Sequence, residues 1–132
     1  MSAIDHRGAV QLFERRRRAW LEEDVAGYLA LWSEDMKIEL PGRDTPVRGR
    51  SAYAEIVELS FARLRPVAWT YHHLAVDGAH VLTEWTIEAS LRANDKPVAW
   101  RGMAVCRVEA ELITDWREYW DPAVLRAQLS QS

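Results

Sequence analysis

The sequence of 132 residues has one cysteine, no long apolar run and no surplus of positive charge. Cys106 cannot form a disulfide within the chain or a thiolate metal cluster, and its apolar neighbours predict a buried, unreactive thiol. The net charge of -3 gives no electrostatic basis for nucleic-acid binding. Without a membrane-length apolar segment or a basic-then-apolar N-terminus, the sequence predicts a cytoplasmic protein that does not contact membranes.

Motifs for cofactors and metals are also missing. No histidine or acidic pair has a spacing such as His-x-His, and the sequence has no Gly-rich phosphate loop, dinucleotide fingerprint or nucleophile elbow. We therefore expect no cofactor and no metal. What the sequence does have is seven tryptophans, which suits either core filling or a cavity for a ring-shaped ligand.

Three large aromatic residues lie close together near the C-terminus, in the stretch 112–122. Broad rings are costly to expose, so the stretch predicts a core strand. Because side chains alternate along a strand, Trp116, Glu118 and Trp120 share one face. Glu118 is therefore predicted to lie between two indoles, either as a paired structural acid or as a working group in an apolar pocket.

The rest of the chain shows helical periodicity first and strand periodicity later. Apolar spacing and capping residues predict helices over 5–22, 24–35 and 51–64, and alternation predicts strands over 36–40, 67–76, 80–92, 98–108 and 112–120, with a short terminal helix over 123–132. Helices first and strands last indicate an α+β fold, with helices packed on one face of a curved antiparallel sheet. We expect one domain spanning residues 1–132.

Two pairs of adjacent residues raise the question of which side chain faces inward. Arg17 lies on the apolar stripe of the first helix with Arg16 at its margin, and the favoured interpretation is that both reach water along their aliphatic stems. One inward arginine is the alternative. Of His72 and His73, strand alternation places His73 inward with the neighbouring aromatic residues, as a core residue or a proton-transfer group.

Three local stretches resemble the SnoaL-like branch of the nuclear transport factor 2-like superfamily. They are WLEEDVAGYLALWSED at 20–35, PG at 41–42 followed by VRGRSAY at 47–53, and ITDWREYWD at 113–121. The likeness covers nearly the whole chain. It implies a cone-shaped fold, whose curved sheet and helices enclose one apolar pocket, often in a dimer.

The catalytic residues of known members carry over poorly. By resemblance to limonene epoxide hydrolase, the Arg and first Asp of the water-activating relay fall at Trp85 and Ile87 and its second Asp at Glu118, while the water-holding Tyr and Asn fall at Lys37 and Glu39. Only Glu118 keeps a carboxylate, so that relay is not expected here. In the ketosteroid isomerases, which the chain also resembles, the general base and the oxyanion tyrosine fall at Leu40 and Arg16.

The resemblance nevertheless implies which side chains line the pocket. Glu118 is the predicted proton-transfer residue, with Glu39 as partner and Lys37 or an inward Arg16 stabilising charge on a substrate oxygen, and His73 is a further catalytic candidate. A buried ion pair of Glu118 with Arg16 or Arg17 is the structural alternative. The predicted ligand-binding residues are Tyr28, Trp32, Trp85, Ile87, Trp116 and Trp120.

These expectations lead to three function classes. The first is a cofactor-independent cyclase or isomerase that moves a proton on an apolar, ring-containing carbonyl compound. The second is a non-catalytic ligand-binding or accessory domain with the same pocket, and the third is a structural dimerisation domain. A homodimer is expected from the resemblance and from apolar residues such as Met103 and Val105 on the alternate face of one strand.

Overall fold

The computed structural model describes residues 3–130, which form helices and one six-stranded sheet. The helices are α1 His6–Leu21, α2 Val25–Leu29, α3 Arg50–Arg63 and α4 Pro122–Ser130. The strands are β1 Trp32–Glu39, β2 Val47–Arg48, β3 Leu64–Asp77, β4 His80–Leu91, β5 Pro97–Glu109 and β6 Leu112–Tyr119. The sheet is curled and unclosed, which confirms the predicted α+β class. No helix among the described residues is long and apolar enough to cross a membrane.

Helix α1 begins where the sequence predicts. The side chain of Asp5 caps it by accepting a hydrogen bond of 2.7 Å from the backbone N–H of Gly8. Its buried residues follow helical spacing, so one face of the helix packs into the fold. That face carries Ala9, Leu12, Phe13, Arg16, Ala19 and Trp20.

The second helix is shorter than predicted and the first strand is longer. Helix α2 ends at Leu29, and Trp32 begins β1 instead of continuing the helix. Trp32 is fully buried and is paired with Ile113 of β6. A tryptophan fits the periodicity of a helix and of a buried strand, and here the pairing with β6 stabilises the strand. Helix α3 is also capped differently, because Gly49 with φ of +90° precedes it where Ser51 was predicted as the cap.

The strand order in the sheet is β2-β1-β6-β5-β4-β3. The four long strands form the predicted antiparallel meander. The prediction of a wholly antiparallel sheet was wrong at one place, because β1 runs parallel to β6. Strand β2 pairs with only two residues on one edge of β1. On the other edge, the backbone N–H and C=O groups of β1 are paired with β6.

A bulge interrupts the pairing of β3 with β4 between Tyr71 and His73. Before it, Trp69 and Tyr71 are paired with Ile87 and Trp85; after it, His73 is paired with Glu84. An extra residue in one strand reverses the alternation of faces beyond it. The side chains that follow the bulge therefore lie on faces opposite to those predicted from simple alternation.

Glycine at position 102 lets two tryptophans pack closely. Gly102 is paired with Trp85 across β4 and β5, and a Cβ at this position would lie 2.8 Å from the Trp85 indole and 3.1 Å from the Cβ of Trp120. Any larger residue would clash with these neighbours. Glycine is thus the residue that fits between Trp85 and Trp120 at this position.

Candidate functional site

Glu118 is held by the two indoles that flank it on β6, as the sequence predicts. Its Oε1 accepts a hydrogen bond of 3.0 Å from Trp116 Nε1, and its Oε2 accepts one of 2.7 Å from Trp120 Nε1. Both carboxylate oxygens are therefore fixed by donors two residues away on the same face of the strand. The side chain has one defined orientation.

The predicted ion pair of Glu118 with an arginine does not form. Among residues 3–130, no lysine or arginine nitrogen lies within 4.0 Å of the Glu118 carboxylate. Burial raises the pKa of Glu118 above its usual value, while the Trp120 hydrogen bond, the charge of Arg16 and the Trp116 hydrogen bond oppose the shift. The net effect is a carboxyl group more basic than an exposed glutamate.

Glu118 borders a depression at the end of β6. The depression has a volume of about 370 Å³ and is lined by residues of β1, β6 and the loop after β1, among them Glu39, Leu40, Pro41, Arg43, Arg117, Glu118 and Trp120. Trp120 is partly buried and packs against Trp100 with ring centroids 6.2 Å apart. Solvent or a small molecule can thus approach the carboxylate from this side.

Arg16 is the buried cation of the site. The prediction that both central arginines reach water was wrong, because Arg16 is only 2% exposed. Its guanidinium carbon lies 4.1 Å from the ring centre of Trp116 and 4.7 Å from that of Trp69, with Tyr28 at 4.9 Å and Trp32 at 5.9 Å. Four ring faces stabilise the charge in place of a carboxylate.

One of the Arg16 nitrogens has a hydrogen-bond partner. Nη2 donates to the hydroxyl of Tyr28 at 2.5 Å, and that hydroxyl lies 3.5 Å from the hydroxyl of Tyr53. Burial raises the pKa of both tyrosines, so they stay neutral at physiological pH. The next arginine, Arg17, turns outward and donates to the carbonyl of Trp69 at 2.8 Å.

Trp116 connects the cation to the acid. One face of its indole lies against Arg16, and its N–H is donated to Glu118. The charge of Arg16 acts on Glu118 across this ring without a direct contact. The two ionisable groups are therefore coupled electrostatically through an aromatic spacer.

The structure places Lys37 and Glu39 on the face of the sheet opposite Glu118. Glu39 is paired with Arg117 and Lys37 with Asp115, and both partners alternate with the residues that face Glu118. The Nζ of Lys37 lies 3.9 Å from Glu39 and 3.9 Å from Asp115. Glu39 still lines the edge of the depression that Glu118 borders, whereas Lys37 does not. The prediction that Lys37 points into one cavity with Glu118 was therefore wrong, because β1 is paired with β6 in this register.

His73 also lies outside the site. Its side chain is 84% exposed, and its Nδ1 lies 2.7 Å from the Oε1 of Glu84. The inward orientation predicted for it is contradicted, because the bulge after Tyr71 turns it outward. This hydrogen bond lowers the pKa of Glu84.

The predicted ligand-binding residues divide into two groups. Trp120 borders the depression beside Glu118. The others are packed in the core, where their side chains are nearly or fully buried: Tyr28, Trp32, Trp85, Ile87 and Trp116. A ligand-binding role for these five stays a prediction.

Three residues near Arg16 were missed by sequence reasoning, namely Tyr53, Trp69 and Tyr71. The ring of Trp69 lies 5.5 Å from that of Tyr71, and the Tyr53 ring lies 4.9 Å from that of Trp32. The alternation of Trp69 and Tyr71 along β3 did indicate their common face, but not their contact with Arg16. Nothing in the sequence brings that face to helix α1.

No group of three or more potential metal ligands among the described residues is arranged to hold an ion.

Comparisons with known proteins agree with this architecture. Residues 13–116 match the family model described as the SnoaL-like domain. No curated protein sequence matches the chain significantly. Among solved structures, the chain is similar to an LEH-like epoxide hydrolase of M. tuberculosis, with 26% identity, a TM-score of 0.77 and coverage of 92% of this chain and 89% of that one.

Two further solved structures share the fold at lower identity. A candidate isomerase from Bacillus subtilis has 19% identity and a TM-score of 0.84, with 96% of this chain and 95% of that one covered. A candidate polyketide cyclase from Xanthomonas campestris pv. campestris has 20% identity and a TM-score of 0.79, with 94% and 98% covered. The family model spans most of the chain and the structural likeness nearly all of it, so the protein belongs to the SnoaL-like domain family.

Proposed function

We propose that this protein is a cofactor-independent enzyme of the cyclase or isomerase type, in which Glu118 transfers a proton on an apolar, ring-containing carbonyl compound. One observation carries the proposal: a partly buried carboxylate, without an ion-pair partner among residues 3–130, is fixed by two indole N–H groups beside a depression. A desolvated acid at the edge of a cleft is typical of functional sites.

The chemistry follows from the surroundings of the carboxylate. Desolvation makes Glu118 a stronger base than an exposed glutamate, and the indoles hold both oxygens in one orientation. Glu118 would take a proton from the carbon next to the carbonyl, leaving the C–H electron pair in an enolate. In an isomerisation, the same proton would return to another atom of the substrate. In a cyclisation, the enolate carbon would attack a second carbonyl carbon of the substrate, the π electron pair of that carbonyl would move to its oxygen, and this oxygen would take the proton back from Glu118. Neither course needs an oxidant or reductant.

The relatives support proton transfer at the level of the family. Similar structures include the LEH-like epoxide hydrolase and the candidate isomerase and polyketide cyclase described above. The positions that the hydrolase relay would occupy hold Trp85 and Ile87, which are apolar and buried. These two residues cannot activate water, which favours proton transfer by the single acid Glu118.

Hydrogen–deuterium exchange tests the proposal without knowledge of the natural substrate. In D₂O, the protein should speed deuterium uptake next to the carbonyl of cyclic ketones and aryl ketones, measured by NMR. The substitution Glu118→Gln keeps the size of the side chain and should reduce the exchange rate by roughly 100-fold or more. Glu84→Gln, at an exposed acid on the outer side of the sheet, is the matched control and should leave the rate unchanged. An equal exchange rate in wild type and Glu118→Gln would refute the proposal.

A non-catalytic ligand-binding domain is the second candidate. It is favoured by the position of Lys37, which lies beside Glu39 and Asp115 and does not line the depression, so Glu118 lacks the cation that the sequence predicted beside it. Ring compounds that raise the melting temperature but show no exchange above the uncatalysed rate would support this alternative.

The predicted homodimer stays a proposal. Leu82, Met103 and Tyr119 are exposed apolar or aromatic residues on β4, β5 and β6, and Met103 is paired with Tyr119. Such a patch on the outer side of the sheet suits a partner surface. Light scattering on the wild type and Met103→Glu would test it, and a monomeric wild type would refute it.

A further inference from the structure

Arg16 has hydrogen-bonding capacity that the protein does not use. Its side chain is 2% exposed, and Nη2 donates to Tyr28. Nε and Nη1 have no acceptor anywhere in the described part of the chain and almost no contact with solvent. Buried groups of this kind are rarely left unpaired, and hydrogen bonds to charged groups are among the strongest in proteins.

Further unpaired groups lie in the same aromatic cluster. The indole N–H groups of Trp32, Trp69 and Trp85 and the hydroxyl of Tyr71 are buried and find no partner within residues 3–130. Trp32 and Trp69 contact the Arg16 guanidinium, Tyr71 stacks near Trp69, and Trp85 lies 6.3 Å from Trp69. Burial raises the pKa of Tyr71, while the charge of Arg16 and a hydrogen-bonding interaction with it both act to lower that pKa, although the two side chains do not reach the geometry of a full hydrogen bond.

The unpaired groups have one chemical character. The guanidinium and indole nitrogens are donors only, the Tyr71 hydroxyl can donate or accept, and the cluster is built around a permanent positive charge. The counterpart of such a cluster is an oxygen acceptor with negative charge. Glu118 does not fill this role, because its two oxygens accept from Trp116 and Trp120.

We infer that the interior around Arg16 binds the carboxylate of an aromatic or alicyclic organic acid. The inference rests on the proposed function, since it names the chemical class of that substrate: a ring-containing carbonyl compound that also carries an acid group. The depression of about 370 Å³ beside Glu118 is at the small end of ligand sites, which suits one or two rings. Because the donors are closed to solvent here, binding requires movement of side chains between the depression and Arg16.

Charge favours an acid over a neutral ring compound. Arg16 keeps its proton at all physiological pH values. The aromatic rings around Arg16 stabilise its charge less fully than an anion would, and the carboxylate of a bound ligand would supply that anion. Ring–ring contact with the same indoles would hold the rest of the ligand.

Matched pairs of probes test this inference on the wild-type protein. Benzoate with benzamide and 2-naphthoate with 2-naphthamide have nearly the same shape and differ in charge. We expect the acids to bind roughly 10- to 100-fold more tightly than the amides, measured by calorimetry and by tryptophan fluorescence. Equal binding of acid and amide, tighter binding of the amide, or no binding of any probe would overturn the inference.

Substitutions test whether Arg16 is responsible for the preference for the acid over the amide. Arg16→Met should abolish the preference for the acid, and Arg16→Lys, which keeps the charge if the first variant fails to fold, should reduce it. Arg17→Met, one position along the same helix, should retain the preference. Glu118→Gln should lose exchange activity and still bind naphthoate, so failure of the catalytic proposal and failure of the acid site give different results. A preference that survives in folded Arg16→Met would place the acid elsewhere and refute the site.

Discussion

Charged residues in the interior and on the outer side of this protein are stabilised in different ways. On the outside, Lys37 lies between Glu39 and Asp115, and His73 contacts Glu84, all with exposed or partly exposed side chains. Inside, Arg16 and Glu118 have no ion-pair partner among residues 3–130 and are held by ring faces and indole N–H groups. On the solvent-exposed side of the sheet, opposite charges are in direct contact. In the interior, aromatic groups separate them.

This difference indicates where the chemistry can lie. Exposed ion pairs are screened by water and contribute little to stability. Interior charges held apart keep their reactivity, because neither neutralises the other directly.

Removing the aromatic spacer should have the largest effect. Trp116 is fully buried between Arg16 and Glu118, so Trp116→Ala should lower the free energy of unfolding by about 3–5 kcal/mol. Urea denaturation measures the change. Trp120→Ala, at the partly buried rim, is the control and should lose less. Equal losses in the two variants would show that Trp116 is not the centre of the cluster.

The stability of the protein should depend on pH through Glu118. Its pKa is raised in the folded state, so the folded protein binds this proton more tightly than the unfolded chain. The stability contributed by the protonated group is therefore complete below about pH 4, and it is lost as the pH rises through the folded-state pKa. Glu118→Gln removes this pH-dependent contribution to the free energy of unfolding.

We expect the difference in free energy of unfolding between wild type and Glu118→Gln to change with pH. As the pH rises from 4 to 7, the free energy of unfolding of wild type should fall relative to that of Glu118→Gln, as measured by urea denaturation at each pH. A difference that stays constant over this range would show that Glu118 has an ordinary pKa. Glu84→Gln serves as the exposed comparison. Because the pKa of Glu84 is lowered, the stability that this group contributes is present above about pH 4 and is lost as the pH falls below that value.

The smallest effect is expected on the outer side. Lys37→Met removes two contacts of 3.9 Å between partly exposed groups, so it should change the free energy of unfolding by less than about 1 kcal/mol. Deuterium exchange should also stay at the wild-type rate. A loss of exchange in Lys37→Met would return this residue to the site and contradict the separation of the two faces.

Much of the fold could be predicted from local patterns. The helical spacing of the first helix and the alternation along β4 both concern neighbouring residues, and each was predicted correctly. Trp32 was misplaced because a helix and a buried strand both accept it, and only its pairing with Ile113 distinguishes them. The parallel pairing of β1 with β6 joins distant segments and leaves no local signal.

The candidate site shows the same limit. The indoles around Glu118 were predictable, since alternation within one strand fixes their common face. The orientations of Lys37 and His73 were not, because one depends on register between distant strands and the other on a bulge. Arg16 was misjudged because a helix pattern cannot reveal the rings of β1, β3 and β6 that surround it.

The parallel contact of β1 with β6 has a consequence for how the chain acquires its structure during synthesis. The partner of Trp32 is Ile113, so the first strand emerges from the ribosome long before the segment that completes its pairing. Until then, β1 can form ladder contacts only with the two residues of β2. Contacts between segments so distant in sequence slow folding and leave apolar strands open to association with other chains.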